Sequence, residues 1–540
     1  MKTRHKKYDL RRIRTLVFGC LTGAICGGVL ALFLTCARVV LSYTFGLYAA
    51  ADTPLAVVCL LTLVLLCCFA AAVLQTLFPI GKGSGIPLAE CCARGMLRTN
   101  PFSAAAALVG GSLLSFLCGM SVGSEGPSVG VGGLIGDGVG RAAKTSDELR
   151  RHLITGGASS GLAVAFNAPL TGITFALEET HRRFSPDILL AACSSVVSAV
   201  LVSQAIFYGF GRIEYLNGLG IRAGFTVLPY LAQTRAANVT EFFKLCAIAL
   251  LCGATCGGIA LAFNRAIFAL SDVFKRVNNA LLRLLPTFVL TAVIALSLKL
   301  SVGSGEAMLE AISQNTAFWL LFALFAARLI TTVCASGAGV TGGLFLPMIA
   351  IGGLLGAIAA KICVMCGLPE AYAPNITMLC IAAFFAASVR APISAVALTL
   401  ELTASFANLL PCAIAVAAAM ILADFTRTAP LYERMMEDLQ RSAGTFGGVN
   451  PTLHGVVTDR SAADGKRIRD ILWPYNSLVI GLDRDGTDIV PDGETVLRAG
   501  DRLTVRADRV DEAKFREQMR EYIEVQVEPS DTTGDNGRPS

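Results

Sequence analysis

Apolar runs of membrane-spanning length recur from about Leu16 to about Asp424, and beyond that the pattern becomes the mixed polar and apolar alternation of ordinary soluble sequence. A bilayer core is ~30 Å thick, so a spanning helix needs ~20 apolar residues. Leu16–Ala37 contains no charge, and Leu55–Ile80, Ile188–Phe207 and Leu245–Phe263 are further uncharged runs. Leu402–Ala423 is also uncharged and reads as a span, although Asn408 and Pro411 interrupt it. Other apolar runs are shorter, Gly-rich and broken. Broken helices are tolerated at membrane depth only where protein or a water-filled cavity covers them. The pattern predicts a mainly α, polytopic membrane domain and points to a transporter or channel rather than a membrane-anchored enzyme.

From Pro430 the chain leaves the membrane pattern. Tyr432–Gly448 reads as a charged helix followed by a Gly-containing linker. Strand signals fall at Leu478–Leu482, Ile489–Val490, Thr495–Leu497 and Arg502–Val505, with a hairpin-type turn at Asp483-Arg484-Asp485-Gly486. Val510–Tyr522 reads as a helix and Pro529–Ser540 as a polar, disordered tail. The expected organisation is an N-terminal segment 1–14, a membrane domain 15–432, a linker 433–449, a small α/β domain 450–525 and a tail 526–540.

Composition agrees with this division: 54% of the 540 residues are hydrophobic and 16% charged, against roughly a quarter charged in average soluble domains. The net charge of +6 matters less than its position. The N-terminus, MKTRHKKYDLRRIRT, is basic with Asp9 as its one acid, which places it in the cytosol beside the first span. With the C-terminal domain also cytosolic, the expectation is a multi-pass protein of the cytoplasmic membrane. The first apolar run is too long for a cleavable signal. A nucleic-acid role for the basic patch is set aside. The 18 cysteines lie between Cys20 and Cys412, mostly in apolar runs where Cys packs as a small hydrophobe. Neither Cys363 and Cys366 nor Cys252 and Cys256 have His or further Cys partners at zinc spacing, so no metal site or disulfide framework is implied. His5, His152, His181 and His454 are scattered and form no catalytic set, so no enzyme and no cofactor are expected.

The membrane part repeats itself. Asn167-Ala168-Pro169-Leu170-Thr171 runs on to Leu177-Glu178, and Arg390-Ala391-Pro392-Ile393-Ser394 runs on to Leu400-Glu401, with an offset of 223 at both ends. Upstream, Gly123–Gly140 and Gly339–Gly356 are matching Gly-rich stretches whose Pro127 and Pro347 are 220 apart. Two halves with Gly-broken helices in matching places mark a repeat-built transporter with its substrate site where the halves meet. Periodicity and spacing leave open whether the repeats are parallel or inverted.

Four short segments carry the chemistry: Gly83-Ser84-Gly85-Ile86-Pro87, Gly123-Ser124-Glu125-Gly126-Pro127, Gly342-Gly343-Leu344-Phe345-Leu346-Pro347, and Tyr432 after the last span. Each Gly-rich segment lies where a helix should begin. A helix start presents free N–H groups and about half a positive charge, and glycine lets the backbone approach an anion closely. Several such ends meeting at mid-membrane would hold a halide and still release it. Glu125 is an ionisable group in a membrane segment, a functional candidate by default. As an anion it competes for a chloride site, and once protonated it leaves, which makes it both gate and proton carrier.

These segments, with the FNAPLTGITFALEE and SVRAPISAVALTLELT blocks, resemble the chloride-channel (CLC) family over roughly Leu16–Tyr432. The resemblance implies a fold of two inverted repeats and a homodimer with one pathway per subunit. It implies that Ser84 contacts the central anion and favours chloride, that Gly126 and the N–H groups of Leu344 and Phe345 contribute to the anion site with the Phe345 ring bordering it, and that Tyr432 donates its hydroxyl from the inner side. Glu125 would be the gating glutamate and Glu179 the inner proton-transfer glutamate. Glu178 and Glu401, matched in the repeat, would be a structural pair. Other readings are turn chemistry for Ser84, a water-facing N-cap acid for Glu125, an ion pair of Glu179 with Arg182 or Arg183, packing for Phe345 and an interfacial position for Tyr432. Ser124 departs from the Arg or Lys that many members carry there, so the field around Glu125 lacks a positive neighbour.

Gly465–Leu503 resembles the TrkA-C module, which implies a cytosolic regulatory domain able to bind a small ligand or, alternatively, a dimer-stabilising domain without one. The expected function is exchange of chloride for protons. The alternative is a passive chloride channel on the same fold, and Glu179 favours exchange because channels of the family commonly lack an acid there. A potassium-system role fails because no TVGYG-like filter and no GxGxxG half precede the module.

Overall fold

The computed structural model describes residues 2–180, 185–211, 238–312, 316–406, 409–442, 450–459, 461–471, 473–507 and 510–525. His181, Arg182, Arg183, Asn408, the segment 443–449 and the tail expected from Pro529 lie outside the described residues. The chain divides into two compact units, Met1–Ala93 with Arg98–Leu439, and Arg94–Leu97 with Gln440–Ser540.

The first unit is helical. Its helices are α1 (Lys2–Ala49), α2 (Pro54–Leu77), α3 (Gly85–Ala93), α4 (Pro101–Leu117), α5 (Glu125–Ala142), α6 (Asp147–Phe166), α7 (Pro169–Phe175, continued as a π-turn through Ala176–Thr180) and α8 (Pro186–Phe210). They are followed by α9 (Val239–Phe274), α10 (Ala280–Ser297), α11 (Glu306–Ala311), α12 (Phe318–Ala338), α13 (Phe345–Met365), α14 (Ala373–Val389), α15 (Pro392–Thr403), α16 (Leu409–Phe425) and α17 (Leu431–Ser442). Among the described residues, 8 helices are long and apolar enough to cross a membrane. The helix starts of α2, α4, α6, α9 and α10 are set by polar caps: Thr53, Asn100, Ser146, Asn238 and Asn279 each accept from a main-chain N–H of the first turn. α14 is buried on every side, as expected of a helix apolar all round.

The run Leu402–Ala423 is not the single span that its composition suggests. α15 ends at Thr403, Ala404 turns left-handed at φ 48°, and α16 starts afresh at Leu409. Pro411 breaks nothing, because it lies in the first turn of α16, where a missing N–H costs no helical hydrogen bond.

The repeat is visible in the backbone. α2 and α10 both exit through a residue of the same conformation, Phe78 at φ −131°, ψ 77° and Leu298 at φ −127°, ψ 80°, each followed by a 3₁₀ turn. Gly119 and Gly339 both take left-handed φ, 69° and 71°, positions that a side chain would strain. The contacts between halves are reciprocal. Gly123 N–H donates to Gly343 O at 2.8 Å and Gly343 N–H to Gly123 O at 2.7 Å. Glu178 accepts from Ile393 N–H at 2.8 Å and Ser394 N–H at 2.7 Å, and Glu401 accepts from Leu170 N–H and Thr171 N–H, both at 2.7 Å. Residue i touching j while the equivalent of j touches the equivalent of i is the signature of a two-fold relation. Each glutamate sits at the far end of its own helical segment and caps the start of the other, so α7 and α15 run antiparallel and the repeats are inverted. The caps also supply the N–H partners that a membrane interior withholds.

The halves meet through glycine. A methyl group added at Gly126 would lie 2.7 Å from both Gly343 Cα and Ser84 Oγ, and one at Gly85 would lie 2.3 Å from Gly126 O. Real Cβ atoms do not approach so closely, so the starts of α3, α5 and the segment leading into α13 can cross only because these positions lack side chains.

The second unit carries a five-stranded antiparallel sheet of order β3-β2-β4-β1-β5, with β1 Thr452–Val456, β2 Leu478–Arg484, β3 Thr487–Ile489, β4 Arg502–Arg506, β5 Glu524–Val525, and helix α18 Glu512–Met519. The predicted hairpin turns through Asp485 and Gly486, both at positive φ, which matches the twist of the strands it joins. Thr495–Leu497 is not the expected strand. It makes a single bridge, Val496 with Arg467, and is held because Leu497 is buried and its main chain pairs with Gly465 and Lys466. The core packs Leu453, Val479, Leu503, Val505, Phe515 and Tyr522. Arg484 donates two bonds of 2.7 Å to the Asp501 carboxylate, which also accepts from Arg498 N–H at 2.7 Å. Burial opposes ionisation of Asp501, but the Arg484 pair and the Arg498 N–H outweigh it and hold the carboxyl below its ordinary range.

Two outcomes are expected. Gly126→Ala forces the crossing apart and lowers thermal stability of the detergent-solubilised protein by roughly 1–3 kcal/mol, the usual cost of overpacking, read by the loss of the monodisperse size-exclusion peak on heating. Asp501, with its proton affinity depressed by folding, stabilises the domain above the unfolded carboxyl range and loses that contribution as pH falls below about 4. In a Trp319→Phe protein, Trp473 fluorescence should report unfolding that steepens in this acid window, and Asp501→Asn should flatten it.

Candidate functional site

α5 and α13 differ from the capped helices named above in how they begin. Ser124 and Leu344 precede them in αR conformation and make no side-chain cap bond. Their first-turn N–H groups are therefore left for another acceptor. At the start of α3, Ser84 Oγ accepts only a long bond from Ile86 N–H at 3.4 Å, which leaves its hydroxyl proton able to donate. The glycine crossing brings Ser84, Gly126 and Gly343 together, and Gly343 leads directly into Leu344 and Phe345. Three helix starts with their positive ends thus converge in one buried place, with Ser84 6%, Leu344 2% and Phe345 0% exposed. A negative ion fits such a place, and no positive side chain is needed to hold it.

Glu125 is the first residue of α5 and is 1% exposed. Ser124 Oγ reaches one of its oxygens at 3.5 Å, and the N–H groups of Glu125 and Leu346 also face the carboxylate. The other oxygen, Oε2, has no hydrogen-bond partner among the described residues and lies near the Gly123 and Gly343 main chain, so close that a methyl on Gly343 would meet it at 3.1 Å. The acid therefore points at the crossing rather than at water, which excludes the water-facing N-cap reading. It also lines a cavity of about 70 Å³, walled by Arg38, Phe166, Ser304, Glu306 and Leu346 among others.

The Phe345 ring stacks between Phe166 at 4.9 Å and Phe385 at 4.3 Å. Tyr432 is fully buried in the same apolar cluster as Phe345 and Leu344, not at an interface, and its hydroxyl has no hydrogen-bond partner among the described residues. Glu179 is 1% exposed and belongs to the π-turn, while its neighbour Glu178 turns away to cap α15. Adjacent residues on a helix point about 100° apart, so one turn serves both structure and the buried acid. Among the described residues, no group of three or more His, Cys, Asp or Glu is placed to hold a metal ion.

Two charged residues of this region escaped the sequence reading. Arg328, in α12, is fully buried and donates to Gly303 O and, at 3.0 Å, to Ser121 Oγ, fixing the loop before α11. Its signal was available: one charge within Phe318–Ala338, an otherwise uncharged apolar helix. Glu306 lies on the cavity wall with Glu125 although the two are far apart in sequence, and nothing in the pattern around Glu306 announces that.

Comparison with known proteins agrees with this geometry. Residues 66–424 match the Voltage gated chloride channel family and residues 456–520 the TrkA-C domain. The chain is 31% identical over 367 residues to the H(+)/Cl(-) exchange transporter ClcA of Cronobacter sakazakii, covering 66% of this chain and 74% of that protein. It is 30% identical over 366 residues to the protein of the same name from Vibrio parahaemolyticus, with the same coverage. Among solved structures, a slow cyanobacterial Cl-/H+ antiporter superposes with TM-score 0.69 at 27% identity, covering 80% of this chain and 99% of that one. A eukaryotic CLC transporter, TM-score 0.64 at 18% identity, covering 84% of this chain and 78% of that one, shares the fold. With a family match across most of the membrane unit and the inverted-repeat crossing in place, the chain belongs to the voltage gated chloride channel family.

Proposed function

We propose that the protein exchanges chloride for protons across the cytoplasmic membrane. The observation that carries this reading is Glu125: a buried carboxylate at an uncapped helix start, one oxygen without a partner among the described residues, on the wall of a cavity. Chloride rests against the main-chain N–H groups of Gly126, Leu344 and Phe345, with hydroxyl donors from Ser84 and Tyr432. Ionised Glu125 competes for that place. A proton arriving on Glu125 removes the competing charge and travels inward when the side chain swings. Glu179, buried in the π-turn, receives or supplies the proton on the inner side. The relatives named as H(+)/Cl(-) exchangers support the same coupling.

The basic N-terminus supports an orientation with the N-terminus in the cytosol, and the C-terminal domain lies on the same side. The protein works as a homodimer with one pathway per subunit and performs no enzymatic step. The TrkA-C domain regulates transport from the cytosol, either by binding a small ligand or by holding the dimer together. The second reading, a passive chloride channel, keeps Glu125 as gate and gives Glu179 no transport role.

Reconstitution into liposomes separates the two. A chloride gradient should drive uphill proton movement. Glu125→Ala should abolish proton movement while chloride flux continues. Glu179→Ala should leave chloride flux but cut the protons moved per chloride by at least about tenfold, in keeping with the loss of a positioned proton-transfer group. Chloride flux with no proton movement in the unmutated protein would overturn exchange in favour of the channel.

A further inference from the structure

Glu125 is 1% exposed and does not face bulk water, so a proton from outside needs an intermediate carrier. The cavity that Glu125 lines supplies one. Glu306, at the start of α11, lines the same wall but is exposed, and it interacts electrostatically with Glu125. Arg38 of α1 also lines the cavity and is an electrostatic partner of Glu306. The other charges near Glu306 are Glu310 on its own helix and the Arg328 guanidinium of α12, which approaches the adjoining Gly305. The cavity has a volume of about 70 Å³, room for a few water molecules.

Its side of the membrane follows from helix length. Arg38 lies 22 residues beyond Leu16 on the continuous helix α1, and at ~1.5 Å per residue that is ~33 Å, the full thickness of a bilayer core. With the N-terminus cytosolic, as proposed above, the cavity opens outward.

We infer that Glu306 is the outer proton-collecting side chain of this chain, passing protons from the external solution through cavity water to Glu125, with Arg38 as its countercharge. The transfer is balanced. A hydronium gives its proton to the Glu306 carboxylate, which releases it to cavity water, and that water protonates Glu125. No other bond is made or broken. Arg38 also offsets the repulsion that two acids would exert on an incoming chloride, a service that a basic residue at position 124 would otherwise perform.

This inference rests on the exchange reading for its direction, and the test keeps the two apart. In proteoliposomes, Glu306→Gln should slow chloride-driven proton uptake by about tenfold, less than the ~10²-fold of an indispensable proton-transfer group because water offers a bypass. It should also move the external pH for half-maximal chloride flux toward acid, since the negative charge that attracts the proton is gone. Chloride flux at saturating external acid should persist, and Glu306→Asp should restore the proton rate. A Glu306→Gln protein with the parent's proton rate and external pH midpoint overturns the inference, as does an equal loss of proton and chloride flux, which would mark a purely structural residue. If the unmutated protein moves chloride without protons, exchange fails. The external pH midpoint then still decides Glu306: an acid shift in Glu306→Gln supports it and an unchanged midpoint overturns it.

Discussion

Main-chain N–H groups at helix starts in a low-dielectric place are the constraint around which this structure is built. A buried N–H without an acceptor costs free energy comparable to a lost hydrogen bond, and lipid offers no water in compensation. At several helix starts in the membrane unit the chain meets that cost with side chains. Thr, Asn and Ser side chains cap α2, α4 and α6, and Glu401 and Glu178 reach across the pseudo-two-fold axis to cap α7 and α15. At α5 and α13 it does not. Other starts, such as those of α8 and α12, also lack a side-chain cap, but those of α5 and α13 meet at the glycine crossing, which makes them meaningful. They are places where the acceptor is supplied by the ion the protein is proposed to carry, or by Glu125 in its stead.

That arrangement requires close approach, and close approach requires glycine. Gly85, Gly126 and Gly343 have no room for a methyl group, so the chemistry of the site is written largely in absent side chains. The charged groups then have distinct tasks. Glu178 and Glu401 are fully engaged in main-chain bonds and hold the helices. Glu125 keeps a free oxygen beside the crossing. Glu306 and Arg38 line the same cavity as Glu125. In the proposed mechanism the same residue type serves as strut, gate and collector.

Much of this was legible along the chain. The uncharged runs marked α1, α2, α8 and α9, the offset of 223 marked the repeat, and the glycines before Ile86, Glu125 and Phe345 marked the helix starts. The strand alternation marked β2, β3 and β4, whereas β1 and the loop nature of Thr495–Leu497 were not read, because short strands are decided by which neighbours they find. Leu402–Ala423 misled for a related reason. Hydropathy measures affinity for the interior but is silent on a left-handed residue such as Ala404 that divides one run into two helices.

The sequence by itself determined what depends on local order: which segments are apolar enough to enter a membrane, where helices begin, where a side chain is missing, and which acid follows a Gly-rich turn. Only the tertiary structure decided what depends on proximity between distant segments. The inversion of the repeats rests on reciprocal bonds between residues more than two hundred positions apart, and the burial of Arg328 and the shared cavity of Glu306, Arg38 and Glu125 rest on helices that meet only after folding. The physical reason is that hydrophobic partition and helix capping act over a few residues of chain, whereas electrostatic coupling and steric contact act over a few ångströms of space.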